Sequence, residues 1–210
     1  MKTLTTLTTT PTQTDPGRRF VLAGLAAGVA FAGARPAAAF DVAQARVLVD
    51  KMVTEVNRII ASGKSEAAML KDFESLFQTY ADVPTIARSA LGVAARSATP
   101  AQLAAFTTAF RGYIAHKYGR RFREFIGGQI EVTDARALKS YFEVISVAKL
   151  RGKAPFDLRW HVSDRSGKQM FFNIIIEGVN MLAAERTEIG SMLDRRKGDI
   201  NALIADLKLL

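Results

Sequence analysis

The chain has 210 residues, of which 49% are hydrophobic, and this is enough for one domain with a substantial core. Its 29 Lys and Arg residues outnumber its 20 Asp and Glu residues, and the resulting formal net charge of +9 favours anionic partners. The sequence contains no cysteine, which excludes disulfides, thiolate metal sites and cysteine nucleophiles.

Residues 1–39 have the pattern of a signal peptide. Two arginines, Arg18 and Arg19, precede an apolar stretch rich in Ala and Gly, and small residues follow it. The apolar stretch is shorter than the roughly 20 residues that a membrane-spanning helix needs. We therefore predict cleavage near Ala39, which leaves residues 40–210 as one domain in the periplasm. The arginine pair resembles part of a twin-arginine export signal.

The apolar periodicity of the remaining sequence predicts helices, then strands, then helices. Helices are predicted over residues 41–62, 65–80, 84–91, 100–126, 182–197 and 199–208. Strands are predicted over residues 129–137, 140–150, 155–163 and 169–177. Because short turns join the strands, the sheet should be antiparallel and four-stranded. The predicted class is α+β, with helices packed against one sheet.

The strand expected at 169–177 is apolar on both faces. Its large apolar side chains are Phe171, Phe172, Ile174, Ile175 and Ile176. A strand that lies half-buried at a surface alternates apolar and polar residues, and this strand does not. One face can lie on the core of the protein, and the other requires either more protein or an apolar ligand.

Few residues are candidates for catalysis. His116 and His161 are the only histidines, and neither has metal-ligand spacing, so we predict that both are solvated. Glu177 follows the apolar strand and could act as a general base in an apolar pocket. The interpretation that we favour is a turn or capping carboxylate beside Gly178. We therefore predict no metal site, no cofactor and no enzymatic activity.

A basic segment, HKYGRRFRE at residues 116–124, lies at the end of the longest predicted helix. Its cations are Lys117, Arg120, Arg121 and Arg123, and its aromatic residues are Tyr118 and Phe122. Such a pattern can bind nucleic acid, but the predicted export argues against that partner. A solvated helix face is one interpretation. The other is a surface that docks on anionic lipid headgroups or on an acidic protein.

Three segments of the sequence resemble the MlaC family, which is also called the toluene-tolerance family. The segments are residues 77–92 (FQTYADVPTIARSALG), 97–119 (SATPAQLAAFTTAFRGYIAHKYG) and 174–208. The most specific parts are the T-P-x-Q opening of the long helix and the block from Glu177 to Met181. Asn180 stands in this block where the family more often has Ser. Members of the family are periplasmic phospholipid-binding components of a lipid ABC transport system.

The resemblance implies a strongly twisted sheet and helices that together enclose a deep apolar pocket for acyl chains. The two-faced strand would then have core on one side and lipid tails on the other. The implied lipid-binding residues are the apolar and aromatic side chains of the matched segments. They are Tyr80, Leu91, Phe106, Phe110, Tyr113, Tyr118, Phe122, Ile174, Ile176, Val179, Met181 and Ile189.

The resemblance also implies a carrier that maintains outer-membrane lipid asymmetry. It would shuttle phospholipid between an outer-membrane lipoprotein–porin complex and an inner-membrane ABC transporter. A two-chain lipid with about 28 methylenes would cost on the order of 20 kcal/mol to move bare through water, so the carrier must bury its tails. The cations Lys117, Arg120, Arg121 and Arg123 would dock the carrier on partners or headgroups.

Two alternatives to a phospholipid carrier remain open at this point. An apolar pocket alone does not identify its ligand, so the first alternative is a carrier of another lipid such as a hopanoid. The second alternative is an isomerase-like enzyme with a cone-shaped α+β pocket. Such an enzyme would use Glu177 or a buried tyrosine.

Overall fold

The computed structural model describes residues 40–210, except for the side chains of residues 121–123. The predicted signal peptide lies outside the described residues. The α-helices are α1 (Val42–Ile60), α2 (Glu66–Tyr80), α3 (Val83–Leu91), α4 (Pro100–Arg121), α5 (Met181–Arg195) and α6 (Ile200–Leu207). The strands are β1 (Gln129–Ala137), β2 (Phe142–Lys149), β3 (Phe156–Ser163), β4 (Met170–Ile176) and β5 (Val179–Asn180). Short 3-10 helices cover Gly92–Arg96 and Phe122–Phe125.

The predicted α+β class is confirmed, and the helices begin at side chains that cap their first turn. Asp41 and Gln44 form a reciprocal capping box at the start of α1. Thr99 and Gln102 exchange two hydrogen bonds of 3.0 and 3.2 Å at the start of α4. Asn180 accepts a hydrogen bond from the backbone of α5. Since Ser and Asn are both good N-caps, the departure at Asn180 keeps the local structure.

The sheet is antiparallel, and its strands follow chain order from β1 to β5. It has one strand more than predicted, because the two-residue β5 folds back on β4. The turn between them consists of Glu177 and Gly178, with φ angles of 49° and 81°. Two consecutive positive φ angles suit the tight turn of a β-hairpin. Glu177 is therefore a turn residue, as the favoured interpretation predicts.

The inner face of the sheet carries the apolar residues of the central strands. Trp160 pairs with Ile174 and Leu158 pairs with Ile176 across β3 and β4. Helix α1 packs across β1, β2 and β3 on this face. The side chain of Asn57 exchanges hydrogen bonds of 2.8 and 3.0 Å with the backbone of Ile130 and fixes α1 against β1.

A β-bulge in β4 breaks the alternation of its side chains. Val162 pairs with Phe171 and His161 pairs with Asn173, so Phe172 is an extra residue. The ring of Phe171 contacts Trp160 on the inner face, whereas Phe172 contacts His161 on the outer face. The bulge therefore brings Phe171 onto the same face as Ile174 and Ile176.

The outer face carries a buried chain of polar side chains, and the prediction of a solvated His161 is wrong. His161 is 8% exposed because the rings of Tyr141 and Phe172 pack over it. Its Nε2 lies 3.3 Å from Glu143 Oε2, and its Nδ1 lies 3.2 Å from Asn173 Nδ2. Burial lowers the pKa of His161 below its ordinary value, and the opposing effect of Glu143 does not reverse this. His116 is exposed, as predicted.

The polar chain continues at both ends. Asn173 Oδ1 accepts a hydrogen bond of 3.1 Å from the backbone N–H of Leu182 in α5. At the other end, Arg136 Nε donates to Glu143 Oε1 over 2.9 Å. This chain of polar side chains therefore links β1, β2, β3 and β4 to the start of α5.

Among residues 40–210, none of the helices combines the length and the hydrophobicity that a membrane-spanning helix requires.

Candidate ligand-binding cavity

An apolar cavity lies between the inner face of the sheet and helices α1 and α2. Its volume is about 100 Å³. The apolar and aromatic residues of its wall are Met52, Val56, Phe73, Leu76, Phe77, Tyr118, Phe125, Ile130, Leu150, Phe156, Leu158, Trp160, Phe171, Ile174, Ile176 and Met181. Such a wall suits a hydrocarbon ligand.

Helical and strand periodicity place these side chains together. Met52 and Val56 lie one turn apart on α1, so both face the cavity. Phe73 and Phe77 have the same spacing on α2. In β3, the cavity residues Phe156, Leu158 and Trp160 are two positions apart because alternate side chains share a face. In β4, the bulge places Phe171 and Ile174 on the same face although they are three positions apart. The core and the cavity therefore both lie on the inner face of the sheet. The expectation that β4 has the core on one side and the ligand on the other is wrong.

Trp160 is the one wall residue of the sheet with a polar N–H group in its side chain. Its Nε1 donates a hydrogen bond of 2.6 Å to Ser146 Oγ, and both residues are buried. Because this group is satisfied within the protein, the indole needs no polar partner from the cavity. Its ring also contacts Phe171 edge to face at 5.6 Å. The wall at Trp160 is therefore apolar, and its indole is positioned by contacts within the protein.

Charged residues occur where the cavity meets solvent. Glu124, Lys153 and Glu177 line this mouth. Lys153 Nζ lies 2.6 Å from Glu124 Oε2, and the two side chains are 52% and 54% exposed. Glu177 is exposed on its turn, and a general base in an apolar pocket requires a buried carboxylate instead. The charges thus allow a polar group to stay at the mouth while an apolar group enters.

A polar cluster of α4 and α5 adjoins the cavity at Tyr118. Tyr118 Oη donates to Glu185 Oε1 over 3.0 Å, and Lys117 Nζ lies 2.7 Å from the same oxygen. Lys117 also pairs with Glu188 and donates to Tyr113 Oη over 3.0 Å. Glu185 is fully buried, so the paired lysine is what makes its charge tolerable.

Protonation in this cluster follows from its contacts. Burial opposes the charge on Lys117, but hydrogen bonds to Glu185 and Glu188 outweigh it and raise the pKa of Lys117. Burial and the charge of Glu185 raise the pKa of Tyr113, which keeps its proton. Because two carboxylates balance its charge inside the fold, Lys117 does not belong with the cations expected to dock on a partner. Arg120 is exposed, and the side chains of Arg121 and Arg123 lie outside the described part.

Four of the predicted lipid-binding residues line the cavity. They are Tyr118, Ile174, Ile176 and Met181. Five others are buried in the core away from it, namely Leu91, Phe106, Phe110, Tyr113 and Ile189. These residues lie on α3, α4 and α5, which pack on one another beside the cavity.

The remaining predicted residues have other surroundings. Tyr80 is buried, and its hydroxyl donates a hydrogen bond of 2.6 Å to Glu55, which raises its pKa to about 12. Val179 is 59% exposed on β5 and does not line the cavity. The side chain of Phe122 is not described.

Sequence reasoning did not assign to the ligand site the wall residues of α1 and α2 or the inner residues of β3. The residues concerned are Met52, Val56, Phe73, Leu76, Phe77, Phe156, Leu158 and Trp160. The available signal was their apolar periodicity, which predicts burial. Periodicity does not distinguish a residue that packs on protein from one that faces a cavity.

Comparison with known proteins supports the fold and gives the family. A solved structure described as the phospholipid-binding protein from Ralstonia solanacearum, in complex with a phospholipid, is similar with a TM-score of 0.66. The two chains are 19% identical, and the match covers 78% of this chain and 94% of the other. This likeness concerns the fold alone. The family model described as MlaC protein matches residues 50–209. The chain therefore belongs to the MlaC protein family.

Proposed function

We propose that the protein is a periplasmic phospholipid carrier that holds acyl chains in the cavity and leaves the headgroup at its mouth. The observation that carries this proposal is an apolar wall that ends in charged residues where the cavity opens. The family and the similar phospholipid-binding protein from Ralstonia solanacearum support it. The predicted signal peptide of residues 1–39 supports export to the periplasm.

The energetics of solvation support the same division of the ligand. Burial of a methylene stabilises it by about 0.8 kcal/mol, so most of the binding free energy would come from the chains. A phosphate buried without partners would oppose binding, and this favours a headgroup beside Lys153 and solvent.

The test is a substitution that fills the cavity, with a control on the opposite face of the same strand. Ile176 lines the cavity, whereas its neighbour Ile175 does not. We expect Ile176→Trp to lower the amount of lipid that copurifies, and Ile175→Trp to leave it unchanged. Native mass spectrometry of protein from the periplasm, followed by lipid extraction, measures the amount and the identity. Urea unfolding confirms that both variants fold.

Several outcomes would count against the proposal. Folded wild-type protein without any lipid would contradict it, as would an Ile176→Trp variant that carries as much lipid as the Ile175→Trp control. A hopanoid in the extract would show that the cargo is another lipid and not a phospholipid. Conversion of steroid-like or acyl substrates by the purified protein would favour the isomerase-like enzyme instead.

We further propose that the carrier shuttles its lipid between an outer-membrane lipoprotein–porin complex and an inner-membrane ABC transporter. Arg120, with Arg121 and Arg123, would speed docking, because exposed charges act mainly on the rate of encounter. Replacement of these three arginines by Gln should slow lipid transfer at low salt and leave the bound lipid unchanged. The control replaces three exposed cations elsewhere by Gln, namely Lys139, Arg165 and Lys208. Equal slowing in both triple variants would show an effect of net charge alone.

A further inference from the structure

A second pocket, here called the arginine pocket, lies on the surface formed by α3, the 3-10 helix after it, and α5. Its cations are Arg88, Arg96 and Arg186, and its hydroxyl groups belong to Thr85 and Ser89. Gly92 and Ala95 complete the lining. It shares no lining residue with the apolar cavity. The two are therefore separate sites.

The three arginines have no acidic partner within the described part of the chain. No Asp or Glu lines the arginine pocket, and none forms an ion pair with Arg88, Arg96 or Arg186. Other basic side chains of the protein do have such partners, for example Lys117 with Glu185. Three like charges on one concave surface repel one another, and a bound anion would remove this repulsion.

Helix dipoles account for part of the cluster only. Arg88 and Arg96 lie in the last turns of α3 and the 3-10 helix, where the dipole favours a cation. Arg186 lies in the N-terminal half of α5, where the dipole gives no such reason. The helix dipole therefore does not account for the third cation.

The absence of a side chain at Gly92 leaves room for the guanidinium group of Arg186 in the pocket. A Cβ atom at Gly92 would lie 3.3 Å from Arg186 Nε, which is closer than ordinary van der Waals contact. The φ angle of Gly92 is +63°, a conformation that other residues rarely adopt. A residue without a side chain thus lets the guanidinium lie against the end of α3, beside the other two arginines.

We propose that the arginine pocket binds a phosphate-type oxyanion. Guanidinium groups donate paired hydrogen bonds to phosphate and carboxylate oxygens. A carboxylate has two oxygens in one plane, whereas the tetrahedral oxygens of a phosphate can accept from three guanidinium groups and two hydroxyls that approach from different elements. The ligand is either free phosphate or the phosphate of a lipid headgroup exposed at a membrane surface.

The experiment titrates the processed protein with inorganic phosphate at constant ionic strength and follows backbone amides by NMR. We expect saturable shifts for residues 85–96 and around Arg186. Loss of one charged hydrogen-bond donor should weaken binding by about tenfold or more in Arg186→Gln. The matched control is Arg165→Gln, which removes an exposed arginine outside the pocket and should bind phosphate as the wild type does. Equal weakening in both variants, or no saturable shift, would overturn the proposal.

Flotation with vesicles separates the two sources of phosphate. Recruitment to phosphatidic acid vesicles that Arg186→Gln abolishes and Arg165→Gln retains would assign the pocket to a lipid headgroup. A response to inorganic phosphate without recruitment would assign it to a free phosphate group. An acidic protein that binds through Arg186 while phosphate has no effect would overturn the proposal. Since the pocket is separate from the cavity, Arg186→Gln should keep its copurified lipid, so failure here leaves the carrier proposal intact.

Discussion

The two faces of the sheet exclude water by different means. On the inner face, Trp160 and Ile174 pack with α1 and α2 and leave a cavity. On the outer face, Glu143, His161 and Asn173 form a hydrogen-bonded chain beneath aromatic rings. Residues of the two faces are direct neighbours along β3 and β4. The same strands therefore carry an apolar wall and a polar network.

The difference shows how one sheet can combine a void with a fixed register. Apolar packing is not directional, so the inner wall can accommodate a change of contents. Hydrogen bonds are directional, and each polar side chain of the outer face has a defined partner. A slip of one residue would place Asn173 or His161 in the apolar interior without partners. The outer network thus secures the strand register on which the inner wall depends.

The largest expected difference separates the two adjacent phenylalanines of the bulge. Phe171 is 2% exposed on the inner face, whereas Phe172 is only partly buried on the outer face. Phe171→Ala should lower the free energy of unfolding by about 3–5 kcal/mol, the usual effect of truncating a buried phenylalanine. Phe172→Ala should cost less than half as much. Urea unfolding measures both, and equal losses would contradict the assignment of the faces.

A smaller effect is expected from the hydrogen bond between Trp160 and Ser146 on the inner face. Ser146→Ala removes the acceptor of the Trp160 N–H and leaves that group buried without a partner. The free energy of unfolding should fall by about 1–3 kcal/mol. The control Ser75→Ala removes an exposed hydroxyl that donates within α2, and it should change stability by less than about 0.5 kcal/mol. A Ser146→Ala variant as stable as this control would mean that the indole has another partner.

The smallest effect is a dependence on pH that belongs to the outer face. Because the pKa of His161 is lowered in the folded protein, the unfolded chain binds the proton more tightly. Stability should therefore fall as pH drops through the ordinary histidine pKa of about 6.5, by at most about 1.4 kcal/mol per pH unit. His161→Gln should remove this slope, and the control His116→Gln should keep it. Thermal unfolding between pH 5.5 and 7.5 tests this, and a slope that survives in His161→Gln would assign it to other groups.

The sequence predicted the fold well where the signals are local. Thr99 with Pro100 marks the start of α4 in the sequence, and the structure has the helix begin there. The alternation of apolar and polar residues in β3 predicts that Leu158 and Trp160 share one face, and both side chains are buried and line the cavity. The bulge at Phe172 was not predicted, because the composition of a strand does not show that one of its residues is left out of the pairing. The burial of His161 was missed for a related reason, since its partners Glu143 and Asn173 belong to other strands.

The candidate site was predicted less completely than the fold. Ile174, Ile176 and Met181 were found because they lie in a segment that resembles the family. The apolar periodicity of α1 and α2 includes Met52 and Phe73 and predicts their burial. It does not predict the cavity, because the cavity depends on how α1, α2 and the sheet pack against one another. Arg88 and Arg186 are 98 positions apart in the chain, so no local pattern could indicate that they share a pocket.

Trp160 is the only tryptophan of the chain, and its ring forms part of the cavity wall. The wavelength and intensity of indole fluorescence change with the polarity of the surroundings. Because the sequence has one tryptophan, the tryptophan fluorescence comes from this site alone. The protein thus contains an intrinsic fluorescent reporter in the wall of the cavity that a ligand would fill. Stopped-flow fluorescence of the unlabelled protein could therefore time the filling and emptying of the cavity directly.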